Sequence, residues 1–186
     1  MGFGPQLPAR RSRRATPVRW GPRRNRMRWI GLLLLGLAAA VLARFAPGAV
    51  ETEGRPRLVD GDSFFIGQTE MRMQGIDAPE GRQTCTREGR EWSCGEEARR
   101  TLQRLTAGKP IRCEVHSTDR HGRGLATCFS ASGENLNARM VEEGFAVAFG
   151  AYHSEEAAAR SARRGIWASD FERPQEWRRR HMPGSL

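Results

Sequence analysis

The stretch RMQGIDAPE, residues 72–80, places an alternating segment, a bend and two acidic side chains close together. Residues 70–74 alternate between outward and inward positions, which is typical of a strand with one buried face. Gly75 then allows the chain to turn, because glycine adopts backbone conformations that other residues avoid. The stretch therefore predicts a strand that ends in a loop carrying Asp77 and Glu80.

On both sides of this stretch, turn residues and apolar spacing predict, in chain order, three strands, a helix, two strands and two further helices. The strands are predicted at 57–60, 63–66, 70–74, 111–116 and 125–129, and the helices at 91–107, 137–143 and 155–164, the last capped by Ser154. This order matches an α+β, mainly β fold: a five-stranded Greek-key barrel of the OB type with three peripheral helices. Such barrels commonly bind oligonucleotides on one face.

The net charge of +10 belongs to the first fifty residues, which contain ten arginines and no acidic residue. Removing these ten from the 31 Lys and Arg residues leaves 21, equal to the 21 Asp and Glu residues, which all follow position 50. Attraction to a polyanion must therefore come from local clusters of basic residues and not from the field of the whole protein.

Residues 29–43 form an uncharged run, rich in Leu and Ala, behind nine arginines. The length suits the apolar part of a signal peptide, and extension to residue 50 gives the roughly 20 residues that span a bilayer. Positive charge before the run predicts that the N-terminus stays inside and the remainder lies outside. We interpret 29–46 as a signal sequence or a membrane anchor, with Met27 as an alternative start. A buried core helix is less favoured, because the run has no polar face.

Composition divides the chain into five parts. They are a basic tail (1–28), the hydrophobic segment (29–46), a linker (47–56), a folded domain (57–178) and a C-terminal tail (179–186). The orientation predicts an exported protein that is periplasmic or extracellular, or tethered to the membrane by one N-terminal helix.

The four cysteines all lie in the part predicted to be outside. An even number suits two disulfides in an oxidising compartment. Cys113 and Cys128 are equally far from the tip of the predicted hairpin, so they face each other on neighbouring strands. Cys85 and Cys94 remain to close a short polar loop. A zinc site is the rival interpretation, although the spacings contain no Cys-x-x-Cys pair.

Four short runs in a fixed order carry a family resemblance. They are VDGD (59–62), RMQGIDAPE (72–80), DRHGRGLA (119–126) and GIW (165–167). Together they resemble the staphylococcal nuclease-like, or thermonuclease, family over about residues 55–178. The resemblance implies the OB-type barrel and endonucleolytic hydrolysis of DNA or RNA that leaves a 5′-hydroxyl and a 3′-phosphate.

Two aspartates are candidate metal ligands. Asp62 follows a glycine turn and Asp77 ends the third predicted strand, so their carboxylates come from adjacent strand ends. Protein carbonyls, water and a substrate phosphate complete the oxygen shell that a hard cation prefers. The resemblance implies Ca²⁺, with the backbone carbonyl of Ala78 as a further ligand. The alternative is that Asp62 is only a turn residue and Asp77 only a cap.

Arg72, Glu80 and Arg123 occupy the positions of the family's catalytic set. Planar guanidinium groups suit the charge that develops on phosphate oxygens in the transition state. The resemblance implies that Glu80 orients or deprotonates the attacking water. The alternative for Arg72 and Glu80 is an ordinary surface ion pair, which contributes little.

Four residues are candidates for holding the substrate. The resemblance places Phe149 and Tyr152 where base-stacking aromatics lie, and such stacking tolerates any base. A core role is the alternative for Phe149. Arg120 is a candidate phosphate ligand or a solvated residue at the hairpin tip, and His121 departs from the tyrosine common there in relatives.

The sequence thus predicts an exported, calcium-dependent phosphodiesterase that cuts DNA or RNA. One alternative is a weak or inactive OB barrel that binds nucleic acid or a protein. Another is a membrane-tethered structural protein that uses the barrel as a scaffold. The predicted partners are the nucleic acid substrate and, if the N-terminal segment is uncleaved, the membrane; no protein partner is predicted.

Overall fold

The computed structural model describes residues 29–37 and 50–181. The first of these ranges is helical and is called α1 (29–37). No helix in these two ranges has both the length and the apolar character needed to cross a membrane. The rest of the predicted hydrophobic segment, 38–46, and the basic tail, 1–28, lie outside the described residues.

The domain over 50–181 contains ten strands, four α-helices and a short 3-10 helix. The strands are β1 (Val50–Gly54), β2 (Pro56–Leu58), β3 (Ser63–Ile66), β4 (Thr69–Met73), β5 (Ile76–Asp77), β6 (Cys85–Arg87), β7 (Arg90–Trp92), β8 (Ile111–Thr118), β9 (Gly124–Phe129) and β10 (Val147–Ala148). The helices are α2 (Cys94–Thr106), α3 (Leu136–Glu142), α4 (His153–Ser161) and α5 (Pro174–His181), and the 3-10 helix is Gly165–Ala168.

Six strands form one curled, half-barrel sheet in the order β1-β8-β9-β4-β3-β2. The pairs are antiparallel except for β4 and β9, which run parallel with Arg72 opposite Leu125. Two small sheets, β5 with β10 and β6 with β7, complete the fold. The arrangement agrees with the predicted α+β class and OB type.

The predicted count of five strands is wrong for the main sheet, because residues 50–54 form the edge strand β1. The linker predicted over 47–56 therefore contains a strand, which pairs with β8 through the register Val50 to Val115 and Gly54 to Ile111. The segment VETEG has little apolar character and no buried residue, so its sequence pattern does not indicate a strand. The backbone ladder to β8 decides its structure.

The helix boundaries also differ from prediction. Helix α2 begins at Cys94 and not at Glu91, because residues 90–92 belong to the β6–β7 hairpin. Ser154 does not cap α4: Tyr152 is the N-cap residue, and the Ser154 hydroxyl donates to Glu155 at 2.8 Å. Helix α5 was not predicted, and the boundary placed at residue 178 falls inside it.

Both predicted disulfides are confirmed. Cys113 and Cys128 face each other across β8 and β9, and Cys85 joins Cys94. All four cysteines are therefore used, which excludes the zinc alternative. A bulge at His116 shifts the β8–β9 register by one residue toward the hairpin tip.

The core lies between the sheet and the helices α2 and α3. Leu102 from α2 and Met140 from α3 pack there against Met71 and Met73 of β4, and all four side chains are buried. Full burial of such a side chain stabilises the fold by about 1.5–3 kcal/mol. Because successive strand residues point to opposite faces, the burial of Met71 and Met73 turns Arg72 away from this core.

Candidate active site

Asp62 is held by a tight turn between β2 and β3. The Asp60 carboxylate accepts the backbone N–H of Asp62 at 3.1 Å, which closes the turn. A Cβ at Gly61 would lie 2.8 Å from the Cβ atoms of both Ala78 and Ala98, so this position accommodates only glycine without displacement. The turn therefore packs directly against α2 and against the loop that follows β5.

Arg72 joins the two aspartates predicted as metal ligands. Its Nη1 donates to Asp62 Oδ1 at 3.2 Å, and its Nη2 lies 3.0 Å from Asp62 Oδ2 and 2.7 Å from Asp77 Oδ1. Asp62 and Asp77 are each only 2% exposed. The charge of Asp62 is the main cause of a raised pKa of Arg72. The backbone N–H of Ala78 donates to Asp62 Oδ2 at 3.0 Å, while the ligand role of its carbonyl stays a prediction.

Glu80 lies beside this pair and is bound by an arginine that lies outside the four sequence runs described above. Arg178 Nη1, from α5, donates to Glu80 Oε1 at 2.6 Å and to Asp77 Oδ1 at 2.9 Å. Its Nη2 donates to Asp77 Oδ2 at 3.1 Å. The only sequence signal was the basic run WRRRH, 177–181, which resembles a solvated tail. The structure shows that Arg178 of this run reaches the site.

The loop that carries Glu80 is fixed by buried contacts. The Gln83 side chain is fully buried, and its Oε1 accepts the backbone N–H of Glu80 at 3.2 Å. The N–H of Gly95, in the first turn of α2, donates to the Gln83 carbonyl at 3.1 Å. A Cβ at Gly95 would collide with the Glu80 carbonyl oxygen, so α2 packs closely on this loop. The disulfide from Cys85 ties the same loop to the start of α2.

Four acidic residues, Asp60, Asp62, Asp77 and Glu80, form a carboxylate cluster that is largely shielded from water. Burial, together with the neighbouring charge of Asp62, raises the pKa of Asp60 to about 8. Burial also raises the pKa values of Asp77 and Glu80, although hydrogen bonds from Arg178 oppose this effect. Like charges that are buried together favour protonation or a bound cation. In the structure, Arg72 and Arg178 balance part of this negative charge.

The donor set fits a hard divalent cation. Carboxylate oxygens are the ligands that Ca²⁺ prefers, and Asp62 and Asp77 present theirs to one guanidinium, and hence to one region of space. Across 29–37 and 50–181, no three His, Cys, Asp or Glu side chains are placed to hold a metal ion. The protein would thus supply two carboxylates, and carbonyls, water and phosphate would fill the remaining positions.

Arg123 lies at the base of the β8–β9 hairpin tip and is bound to Asp119. Its Nε donates to Asp119 Oδ2 at 2.8 Å. Burial acts to raise the pKa of Asp119, but hydrogen bonds from Arg123 and His121 outweigh this effect. The pKa of Asp119 is therefore lowered. The next residues, Gly124 and Leu125, pair with Met71 and Arg72, so Arg123 lies two positions before the strand partner of Arg72. Among the described side chains, Arg123 makes no hydrogen bond to the carboxylate cluster.

Arg120 and His121 are exposed at the hairpin tip. Arg120 Nε donates to His121 Nε2 at 3.1 Å, and the backbone N–H of His121 donates to Asp119 at 2.8 Å. Neither residue lines the cavity that adjoins Arg72. The structure therefore brings them near Arg123 but does not bring them into the carboxylate cluster.

A cavity of about 440 Å³ opens beside Arg72 and is lined by Phe149 and Tyr152. Phe149 is 58% exposed, which excludes the core role considered from the sequence. Tyr152 is held in a left-handed conformation with φ 62°, and its hydroxyl accepts a hydrogen bond from Asn135 at 3.4 Å. The structure thus brings both predicted aromatics to the same opening as a candidate catalytic arginine.

Comparison with known proteins shows the family of this chain. The family model described as "Staphylococcal nuclease homologue" matches residues 70–169, and the chain belongs to that family. The "Succinoglycan biosynthesis protein ExoI" of Rhizobium meliloti (strain 1021) is 36% identical over 143 residues, which cover 73% of this chain and 75% of that protein.

Two other relatives carry the names of nucleases. An "Uncharacterized endonuclease" of Escherichia coli O157:H7 is 30% identical over 135 residues, covering 67% of this chain and 82% of that protein. The "Probable staphylococcal-like nuclease CAN1" of Oryza sativa subsp. japonica is 29% identical over 132 residues, covering 67% of this chain. This chain spans 37% of the length of the rice protein.

Proposed function

We propose that this protein is a calcium-dependent nuclease that hydrolyses phosphodiester bonds in DNA or RNA. The observation that supports this best is the convergence of Asp62 and Asp77 on Arg72, beside Glu80 and a cavity lined by aromatic rings. The names of the relatives from Escherichia coli and rice support the same class of reaction.

Four residues of the site, Asp62, Asp77, Arg72 and Glu80, each have a task in this reaction. Asp62 and Asp77 would hold the cation, which when bound would withdraw charge from a phosphoryl oxygen. Arg72 is fixed by both aspartates and presents a planar guanidinium to the other phosphate oxygens. Glu80 accepts a proton from the attacking water as the water oxygen bonds to phosphorus, while the bond from phosphorus to the 5′ oxygen breaks and that oxygen takes a proton from solvent.

Substrate binding involves the cavity and the hairpin. Phe149 and Tyr152 stack against a base, which requires that base to be accessible and not buried in a duplex. Arg123 supplies a second guanidinium to the phosphate once it exchanges its contact with Asp119 for one with substrate. Arg120 and His121 border the path of the nucleic acid backbone at the hairpin tip.

We also propose that the domain acts outside the cytoplasm. Two disulfides that use every cysteine are typical of proteins from oxidising compartments. The positively charged leader followed by an apolar run supports the same location. Mapping of disulfide-linked peptides in protein taken from each cellular compartment tests this point, because free thiols in the native protein would contradict export.

The test of the nuclease proposal is cleavage of denatured DNA by the purified protein in Ca²⁺ and in EGTA. We expect cleavage in Ca²⁺, none in EGTA, and strong loss in Asp62→Ala. The matched control is Asp170→Ala, an exposed aspartate outside the cluster. Undiminished cleavage in EGTA would contradict the metal role. DNA binding without cleavage, in parent and variants alike, would support the inactive binding module instead.

A further inference from the structure

Arg178 lies outside all four runs that carry the family resemblance, yet it contacts two of their acidic residues. Its side chain is 15% exposed, and it makes three hydrogen bonds of 2.6 to 3.1 Å to Glu80 and Asp77. Burial disfavours the charge of Arg178, but the two carboxylates outweigh this effect and raise its pKa. Arg178 is therefore a permanently charged group inside the candidate active site.

The helix that carries Arg178 is fixed where it begins. The carbonyl of Glu172 accepts the Gln83 side chain at 2.6 Å. Arg173 donates to the largely buried Glu156 at 3.3 Å, and Pro174 is itself buried. Arg178 follows Pro174 by four positions and so lies on the same helix face. These contacts explain why a short helix holds one arginine against the cluster.

The contacts of Arg178 use the same oxygens that a cation would need. Both carboxylate oxygens of Asp77 accept hydrogen bonds from Arg178, and Oδ1 also accepts one from Arg72. An oxygen that is engaged by a guanidinium is less available to a cation, and the two positive charges repel each other. Without Arg178, Asp77 would keep Arg72 on Oδ1 but lose the partner of Oδ2, and Glu80 would lose the arginine that binds its Oε1. Loss of a partner destabilises a largely buried carboxylate, so Arg178 stabilises both side chains when no cation is present.

We propose that Arg178 is an internal counter-ion that competes with the divalent cation for Asp77 and holds Asp77 and Glu80 in place when no cation is bound. This inference rests on the proposed cation site. Cation binding displaces the guanidinium from Asp77 while Glu80 keeps it nearby. Arg178 thus acts through Asp77 and Glu80 as a positioning residue, and it sets the cation concentration at which the site fills.

The fluorescence of Trp177 should change when a cation replaces Arg178 at Asp77. Trp177 precedes Arg178 and lines a small cavity of about 180 Å³ together with Asp60 and Glu80. A shift of Arg178 away from Asp77 changes the surroundings of this indole. Titration with Ca²⁺ in the parent and in Trp177→Phe isolates the contribution of Trp177 from that of the other tryptophans.

The decisive measurement is the calorimetric affinity of the full chain for Ca²⁺, without nucleic acid. We expect Arg178→Gln to bind Ca²⁺ more tightly by on the order of tenfold, because a repelling charge and two competing donors are removed. Arg178→Lys should fall between this variant and the parent, since it keeps the charge but not the two-point contact. The control Arg179→Gln removes an exposed charge from the same helix and should match the parent.

In EGTA, Arg178→Gln should also melt at a lower temperature than the parent. Addition of Ca²⁺ should raise the melting temperature of Arg178→Gln by more than it raises that of Arg179→Gln. Unchanged or weaker Ca²⁺ affinity in Arg178→Gln would overturn the competition, even if the parent cleaves DNA in a Ca²⁺-dependent way. Ca²⁺ binding by Arg178→Gln but not by the parent would support the competition. Absence of binding in both would overturn the cation site and this inference together. If Arg178→Gln does not fold, Arg178→Lys decides the same question.

Discussion

The Gln83 side chain donates to the carbonyl oxygen of Glu172 at 2.6 Å, and it thereby joins the loop of Glu80 to the segment that precedes α5. The same side chain accepts the backbone N–H of Glu80 at 3.2 Å. One buried amide thus sets the relative position of a candidate catalytic carboxylate and of the helix that supplies Arg178. The geometry of the site depends on this link as well as on the residues that would bind substrate.

Replacing Gln83 with Leu should lower both stability and activity. The substitution removes the hydrogen bonds to the Glu80 N–H and the Glu172 carbonyl, each of which contributes about 0.5–1.5 kcal/mol. Urea denaturation measures the loss in the free energy of unfolding, and Gln103→Leu, at an exposed position of α2, is the matched control. Equal stability of the two variants would show that the Gln83 link is dispensable.

Gly95→Ala should disturb the Glu80 loop from a position that bears no catalytic group. The added methyl collides with the Glu80 carbonyl, and overpacking of this kind costs typically about 1–3 kcal/mol. Gly81→Ala is the control, because it adjoins Glu80 in sequence but has open space around a Cβ. We expect lower thermal stability and slower cleavage in Gly95→Ala only. A loss confined to Gly81→Ala would contradict the packing described for α2.

Arg72→Lys and Arg123→Lys should slow cleavage nearly as much as substitution by Ala. Lysine keeps the charge but lacks the planar two-point contact with phosphate. Loss of one such donor costs on the order of 10²–10³ in rate, or roughly 3–4 kcal/mol. The effect should appear in kcat more than in KM. Arg104→Lys, at an exposed position on α2, serves as the control. A double variant that cuts at the parental rate would place the chemistry elsewhere.

Without a cation, the stability of the protein should fall as the pH rises from about 4 to about 8. The pKa of Asp60 is raised from 3.8 to about 8 in the folded protein, so folding favours its protonated form. The stabilisation that results is fully present below the pKa of Asp60 in the unfolded chain. It is lost as the pH rises through the pKa of Asp60 in the folded protein. Asp77 and Glu80 act in the same direction, since their pKa values are also raised.

Urea unfolding in EGTA at several pH values measures this dependence on pH. Asp60→Asn should remove much of the fall, because asparagine does not titrate. Saturating Ca²⁺ should also flatten the curve, because a cation stabilises the ionised carboxylates. Stability that is constant or that rises over this range in EGTA would contradict the assigned direction for Asp60.

Features that depend on neighbours along the chain could be predicted without the structure. Alternation over 70–74 predicts β4, and the equal distances of Cys113 and Cys128 from the hairpin tip predict their disulfide. The ordered runs around Asp62 and Arg72 indicate the family. Each of these signals is local, because strand period, turn residues and hairpin register are set by residues close in sequence.

Strand β1, helix α5 and the position of Arg178 could not be predicted, because they depend on contacts between distant parts of the chain. Strand β1 has no buried face and exists through its backbone pairing with β8. The partners of Arg178 lie 98 and 101 positions away in the chain, and a basic run such as WRRRH looks in sequence like any solvated face. Which of its charges is buried depends on how Gln83 and Pro174 direct the helix, because burial of an arginine is favourable only where carboxylates are already assembled to receive it.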